Sequence, residues 1–183
     1  MKTRFDAIKG SFCVKIGCNG EIQVLNCGTP ENIWKATTKI IGCSWLEHVT
    51  LDAMEKDPDA RCTLEMLVNE DGYAEYGDDV SKVNQFATYL YNKGRLTDVH
   101  YVLGDVVLCV CIETEEGGDF FGISESFAQK IYNQFVGEVK TIKEAYPKPD
   151  TIPSPKVEIK GFDTMEEMEE YLFPKNEKST DNQ

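Results

Sequence analysis

The chain has 183 residues, of which 41% are hydrophobic and 28% are charged, and its formal net charge is −13. These proportions are typical of a folded globular domain and exclude collagen-like, coiled-coil and wholly disordered chains. No apolar run reaches the roughly 18 residues that a membrane span needs, and no long apolar stretch follows the first residues. We therefore expect no membrane partner and no secretory leader.

The negative charge is concentrated in the middle of the chain. Residues 61–120 contain twelve acidic side chains against four basic ones, Arg61, Lys82, Lys93 and Arg95. Proteins bind nucleic acid largely through clustered lysine and arginine, which release counterions from the phosphates. The sequence therefore predicts no direct nucleic acid binding. The same charge leaves open that the protein imitates DNA and occupies the basic groove of another protein.

The seven cysteines are an odd number, which does not suit a framework of disulfides. Cys109 and Cys111 lie in the apolar run at residues 106–112, which is typical of a buried strand and places both on one face. The pair Cys13 and Cys18 has no matching second pair, as a structural zinc site would require. We expect core thiols in a reducing cytoplasm and no metal.

The first third of the chain predicts a hairpin and a helix. Strands at residues 11–16 and 21–25 flank a gap rich in glycine and asparagine. Thr29 and Pro30 then mark the start of a helix, because a hydroxyl residue before proline is a common helix beginning. Apolar residues recur at helical spacing up to Gly42, which ends the helix.

The middle of the chain predicts strands at residues 45–51 and 62–69, with an acidic loop at 57–59 between them. The second strand ends in the turn sequence 69–72, whose glycine tolerates positive φ. A helix capped by Asp79 or Ser81 follows and ends at Gly94. Its apolar face contains Val83, Phe86, Ala87 and Leu90, and its polar face contains Asn84, Gln85, Thr88, Tyr91 and Asn92.

The last part of the core predicts one long strand at residues 100–112, or two shorter ones separated by a bulge or turn at Gly104 and Asp105. An acidic turn at 113–119 lacks the spacing of a calcium loop, so we expect no metal there. A helix capped by Ser124 or Ser126 follows, with Phe127, Ile131 and Phe135 spaced four residues apart.

The composition changes at Tyr146, after which four prolines fall between residues 147 and 155. Such a segment is typical of an extended linker. We predict an α+β core at residues 1–145, a Pro-rich linker at 146–160, a C-terminal helix at 161–173 and a disordered tail at 174–183. The core is predicted to be a mostly antiparallel sheet with three packed helices.

The chain contains no phosphate-binding loop, nucleophile elbow or metalloprotease motif. We therefore predict no catalytic residues and no cofactor. Amides, carboxylates and rings do recur at the strand ends and on the predicted helix. Either they converge on a ligand, or they satisfy backbone groups of the turns and helix caps. The candidate ligand-binding residues are Asn69, Glu70, Asn84, Gln85, Thr88, Tyr91, His100 and Asp105.

Three short motifs in this region carry a resemblance: Asn-Glu-x-Gly, then Asn-x-x-Ala on a helix, then Gly-Asp between hydrophobic residues. The pattern resembles an uncharacterised domain family of bacteriophages, plasmids and other mobile elements, over residues 40–131. The family implies no activity. It implies an accessory protein of a phage or mobile element in the cytoplasm of a bacterial host. The matching residues are Asn69, Glu70, Gly72, Asn84, Ala87, Gly104 and Asp105.

Three functions stay open at this point. The first is a non-enzymatic module that binds a host component, as counter-defence by capture of a small nucleotide-type signal. The second is an acidic inhibitor of a host protein or a DNA mimic. The third is a small enzyme acting on a nucleotide or peptide, with His100, Asp105 or Glu70 as acid–base groups. The partner is thus a small molecule or a host protein, and homo-oligomerisation stays open.

Overall fold

In the computed structural model, six antiparallel strands form one sheet with helices on both of its faces. The structure describes residues 8–57, 60–93, 99–114, 117–145 and 147–152. The predicted α+β class and the antiparallel sheet are confirmed. The predicted C-terminal helix at 161–173 and the tail at 174–183 lie outside the described residues, as does most of the predicted linker.

The sheet has the order β2-β1-β5-β4-β3, and β6 also pairs with β5. β1 pairs with the first part of β5, and β6 pairs with its second part, so both lie along one side of β5. β5 is central because its residues 106–112 are all apolar and pack into the cores on both faces of the sheet. The strands are β1 (Lys9–Ile16), β2 (Ile22–Asn26), β3 (Leu46–Asp57), β4 (Ala60–Asn69), β5 (Val106–Thr114) and β6 (Gly117–Phe121).

Alternate residues of β5 divide the core into two halves. Val106, Leu108 and Val110 face α3 and α4, whereas Val107 and Cys109 face α1. The helices are α1 (Ile33–Ile41), α2 (Gly72–Tyr76), α3 (Gln85–Asn92) and α4 (Glu125–Ala145), with 3-10 turns at Pro30–Asn32 and Val80–Lys82. None of the helices within the described ranges has the length and apolar character required to cross a bilayer.

The predicted hairpin and first helix are confirmed, with one difference at the helix start. Gly42 ends α1 with φ 72°, the left-handed conformation that glycine adopts without strain. The first turn, however, is a 3-10 turn, and the Thr29 side chain makes no capping hydrogen bond. Proline at the first position therefore sets the entry into the helix by its fixed φ alone.

The helix predicted from Asp79 or Ser81 to Gly94 is two elements in the structure. Asp79 caps the 3-10 turn by accepting from the Ser81 N–H at 2.9 Å. Asn84 then has extended backbone (ψ 93°) and caps α3 by accepting from the Ala87 N–H at 3.0 Å. The prediction of one helix was wrong because the apolar period runs through Asn84, although its backbone leaves the helical region.

The structure differs from the local pattern at three further places. β3 extends to Asp57 instead of ending at Leu51, because it pairs with β4 along its length, with register shifts after Thr50 and Ala53. α2 begins at Gly72, the last residue of the predicted turn, and its other residues lie in a stretch for which no element was predicted. β6 begins within the predicted acidic turn, where Gly117 and Gly118 gave no strand pattern. All seven cysteines are free, and Cys109 and Cys111 are buried as predicted.

Candidate functional site

A cleft of about 120 Å³ lies where the end of β4 meets α2, the C-terminal end of α3 and residues 99–103. Its floor is apolar and almost fully buried, since Val49, Val68, Val102 and Leu103 are each at most 9% exposed. A cavity of about 150 Å³ holds one benzene ring, so this cleft admits about one ring. The remaining lining residues are Glu47, Asn69, Glu70, Gly72, Tyr73, Tyr91, His100 and Tyr101.

Four rings form the walls of the cleft, those of Tyr73, Tyr91, His100 and Tyr101. The Tyr73 hydroxyl donates to the Tyr101 carbonyl at 2.8 Å, which ties α2 to residues 99–103. Burial raises the pKa of Tyr73, so the hydroxyl stays protonated and keeps this hydrogen bond. Tyr91 and His100 lie with ring centroids 5.9 Å apart. The walls thus present faces and edges for stacking.

Hydrogen-bond acceptors lie at the rim. Glu47 of β3 and Glu70, just after β4, are both exposed and both line the cleft. Asn69 is already engaged: its Nδ2 donates to Glu75 Oε2 at 2.8 Å and its Oδ1 accepts from the Asp71 N–H at 3.1 Å. Asn69 therefore shapes the turn that presents Glu70. Among the described residues that line the cleft, none is a lysine or an arginine.

The structure brings four of the eight predicted binding residues into this cleft: Asn69, Glu70, Tyr91 and His100. Asn84 does not line it. Asn84 is 1% exposed, and its Nδ2 donates to the carbonyls of Ile16 and Gly104, each at 3.0 Å. Together with the cap on α3, these bonds occupy the amide within the fold. Its polarity serves folding, which the sequence had left as the alternative.

Thr88, Gln85 and Asn92 also differ from the exposed polar face that was predicted for α3. Thr88 is 5% exposed, and its Oγ1 accepts from the Val102 N–H at 2.9 Å. The Asn92 side chain donates to the His100 carbonyl at 2.8 Å and accepts from the His100 N–H at 3.1 Å. These contacts fix residues 100–102 against α3. Gln85 donates to the Lys143 carbonyl of α4 at 3.5 Å, away from the cleft lining.

Asp105 lies in a second cavity of about 230 Å³, which is lined by the β1–β2 turn. Its carboxylate lies 2.6 Å from Lys15 Nζ and accepts from the Cys18 N–H at 2.9 Å. Burial opposes ionisation, but the contacts with Lys15 and Cys18 outweigh it and lower the pKa of Asp105. Asp105 is therefore separated from His100 and Glu70, which the enzyme hypothesis had grouped with it.

One cluster was missed by the sequence reasoning, on the α1 face of the sheet. Glu65 of β4 is 2% exposed, and its carboxylate accepts from Thr63 Oγ1 at 2.6 Å and Thr50 Oγ1 at 3.2 Å. His48 Nδ1 lies 3.2 Å from the same carboxylate. A carboxylate inside the apolar run 64–68 was the available signal, since a glutamate that is buried with such a strand requires hydrogen-bond partners.

Three rings extend from this carboxylate across the sheet, and we call Trp34, Phe120 and His48 the ring row. The centroids of Trp34 and Phe120 are 5.2 Å apart, and those of Phe120 and His48 are 5.0 Å apart. Trp34 is 38% exposed and the His48 side chain is 52% exposed.

Comparison of the chain with protein-family models, curated proteins and solved structures found no match.

Proposed function

We propose that this chain is a non-enzymatic binding module of a phage or mobile element that captures a small nucleotide-type molecule of its bacterial host, as counter-defence. The setting rests on the resemblance described above. The binding role rests on the cleft, in which rings and carboxylates surround a buried apolar floor. A ligand-binding pocket commonly combines such a floor with a few placed polar groups.

The size and lining of the cleft favour a nucleobase as the part of the ligand that is held. A cleft of about 120 Å³ admits about one ring system, and the tyrosine faces provide stacking partners for a base. Glu47 and Glu70 accept hydrogen bonds, as carboxylates do from the exocyclic amino group of cytosine. A base that carries an amino group therefore suits this site better than uracil.

The phosphates of such a ligand belong outside the cleft. Phosphate binding relies on lysine, arginine or backbone N–H groups, and the described lining residues include no basic side chain other than His100. Glu47 and Glu70 repel a phosphate within the cleft. We therefore expect recognition of the base and little gain in affinity from a phosphate.

The catalytic alternative loses one of its three acid–base groups to the second cavity, and this loss favours capture without turnover. Asp105 is held by Lys15 in the second cavity, while His100 and Glu70 line the first. A general base and a general acid act on one substrate only when both reach it. The catalytic alternative therefore retains two of its three groups in the cleft.

The test is calorimetric titration of the full chain with adenosine, cytidine, uridine and adenosine monophosphate. We expect adenosine and cytidine to bind more tightly than uridine, and the monophosphate to bind no more tightly than adenosine. Glu70→Gln should weaken the preference for the amino-bearing bases. Asp105→Asn, in the second cavity, is the matched control and should preserve binding. Equal affinity for all four probes, or no binding of any of them, contradicts the proposal.

The acidic-inhibitor alternative is favoured by a different observation, the ring row on the other side of the sheet. Exposed aromatic side chains are enriched at protein–protein interfaces. Trp34 and His48 are both more than a third exposed, and they lie in the same row as the half-buried Phe120. An acidic protein with such a surface suits a basic protein partner.

A further inference from the structure

The ring row and Glu65 lie on the face of the sheet opposite to the cleft. Glu47 and Val49 of β3 line the cleft, whereas His48 between them belongs to the ring row. Successive residues of a strand point to opposite faces, so the two surfaces do not overlap. α1 packs on this second face through Ile33, and Trp34 extends from the same helix to Phe120.

Among the described residues, no permanently charged cation lies against the buried Glu65 carboxylate. Within the described residues its hydrogen-bond partners are the two threonine hydroxyls and His48, and no lysine or arginine pairs with it. Arg61 of the same strand lies 3.8 Å from Glu113 instead. A buried carboxylate without a fixed positive partner is costly, and its charge attracts a cation to the nearest accessible surface.

That accessible surface is the ring row. His48 is in contact with the carboxylate and is half-exposed, and the row continues through Phe120 to Trp34. Aromatic faces attract cations through their quadrupole, and tryptophan does so most strongly. The negative charge of Glu65 and the ring faces therefore both attract an approaching cation.

We propose that the ring row, together with Glu65, recognises the guanidinium group of an arginine side chain on a partner protein. Guanidinium is planar, stacks on aromatic faces and is less strongly hydrated than ammonium, so it suits a row of rings better than lysine does. The net charge of −13 steers a basic partner to the protein and disfavours an anionic one. A neutral sugar stacks on rings but gains no Coulombic attraction from the carboxylate or from the net charge.

Trp34 provides the readout. The chain has two tryptophans, and Trp45 is 65% exposed, so Trp45→Phe leaves Trp34 as the single tryptophan at little cost to folding, and excitation at the red edge of the absorption band avoids the tyrosines. In this background we would titrate N-acetyl-arginine amide and compare it with N-acetyl-citrulline amide, which has the same shape without the charge. We expect a saturable change in Trp34 emission with the arginine probe, and binding at least about tenfold weaker with the citrulline probe.

Two variants separate binding from folding. Glu65→Gln preserves the shape and removes the charge, and it should weaken the arginine probe about tenfold. Phe120→Leu interrupts the ring row and should also weaken binding of the arginine probe. If Glu65→Gln unfolds, Phe120→Leu is the variant that tests the site. Glu144→Gln, exposed on α4 at the opposite face, is the control with the same substitution and should bind as the parent does. Circular dichroism melts verify the fold of each variant.

The outcomes distinguish this site from the cleft. Unchanged binding in Glu65→Gln, equal response to both probes, or no emission change overturns the arginine site. Equal binding of the two probes together with retained binding in Glu65→Gln identifies a neutral stacking surface instead. Addition of adenosine should leave the arginine titration unchanged, because the two surfaces lie on opposite faces. The nucleobase proposal therefore stands or falls independently of this one.

Discussion

Replacement of Asn84 is expected to destabilise the fold far more than the loss of an ordinary helix cap. Its side chain makes three hydrogen bonds at 3.0 Å, to the N–H of Ala87 and to the carbonyls of Ile16 and Gly104. It is 1% exposed, so water does not replace these partners in an alanine variant. Asn84 thereby joins the start of α3 to the end of β1 and to the turn before β5.

The magnitude follows from these three contacts. Loss of a capping side chain costs about 1 kcal/mol, and each buried backbone acceptor left without its donor costs about 1 kcal/mol or more. We therefore expect Asn84→Ala to lower the free energy of unfolding by about 3 kcal/mol. A domain of typical stability, roughly 5–15 kcal/mol, remains folded after such a loss.

Asn84→Asp is the sharper test. Aspartate caps an exposed helix about as well as asparagine, so the Ala87 contact survives the change. The carboxylate has no hydrogen to donate, however, and it faces the carbonyl oxygens of Ile16 and Gly104. We expect the aspartate variant to be at least as unstable as the alanine variant.

Urea unfolding, followed by circular dichroism, measures these changes through the midpoint and the slope. Asn26→Ala is the matched control, because Asn26 makes one exposed local bond, to the Gly28 N–H at 2.7 Å. Its effect should stay within about 0.5 kcal/mol. If Asn84→Asp retains the stability of the parent, the contacts with the two carbonyls do not contribute and the reasoning is refuted.

Two further predictions concern the second cavity and its neighbouring turn. The lowered pKa of Asp105 means that its ion pair with Lys15 stabilises the fold above the ordinary value of 3.8 and ceases to do so as the pH falls through the lowered one. Urea unfolding at a series of acidic pH values gives the free energy of unfolding as a function of pH. As the pH falls, Asp105→Asn should lose less of this free energy than the parent does, by at most about 1 kcal/mol. Parallel curves for the two proteins would contradict this. Gly104→Ala should be more destabilising in thermal melts than Gly42→Ala: both glycines have positive φ, 81° and 72°, but only at Gly104 does a Cβ meet a side chain, Tyr76 Cε2 at 2.9 Å. Equal losses would show that the tyrosine moves aside without cost.

Local pattern was sufficient for much of the fold. The helix that ends at Gly42, the first hairpin and the apolar strand β5 all follow from residues close together in sequence, because their signals are periodicity and turn chemistry. The predicted start of α4 near Ser124 was accurate for the same reason. The α+β class then follows from the order of these elements.

The candidate site was predictable only in part. Asn69 and Glu70 lie at a strand end, where a sequence pattern places polar groups near a ligand, and His100 and Tyr91 join them in the cleft. The polar residues of α3 misled the prediction because composition does not indicate which face of a short helix is buried. Thr88 is satisfied by the Val102 N–H, fourteen residues away, and no local signal contains that contact.

The sequence by itself determined the helical and strand spacing of the apolar residues, the buried thiols of β5 and the acidic charge, since these depend on residue type and on near neighbours. Tertiary structure alone decided that β6 pairs with the second part of β5, because its glycines carry no alternating pattern. It also decided that the ring of His48 meets the carboxylate of Glu65 and the ring of Phe120. Contacts across so many residues depend on strand order and register, which the pairing of the whole sheet determines.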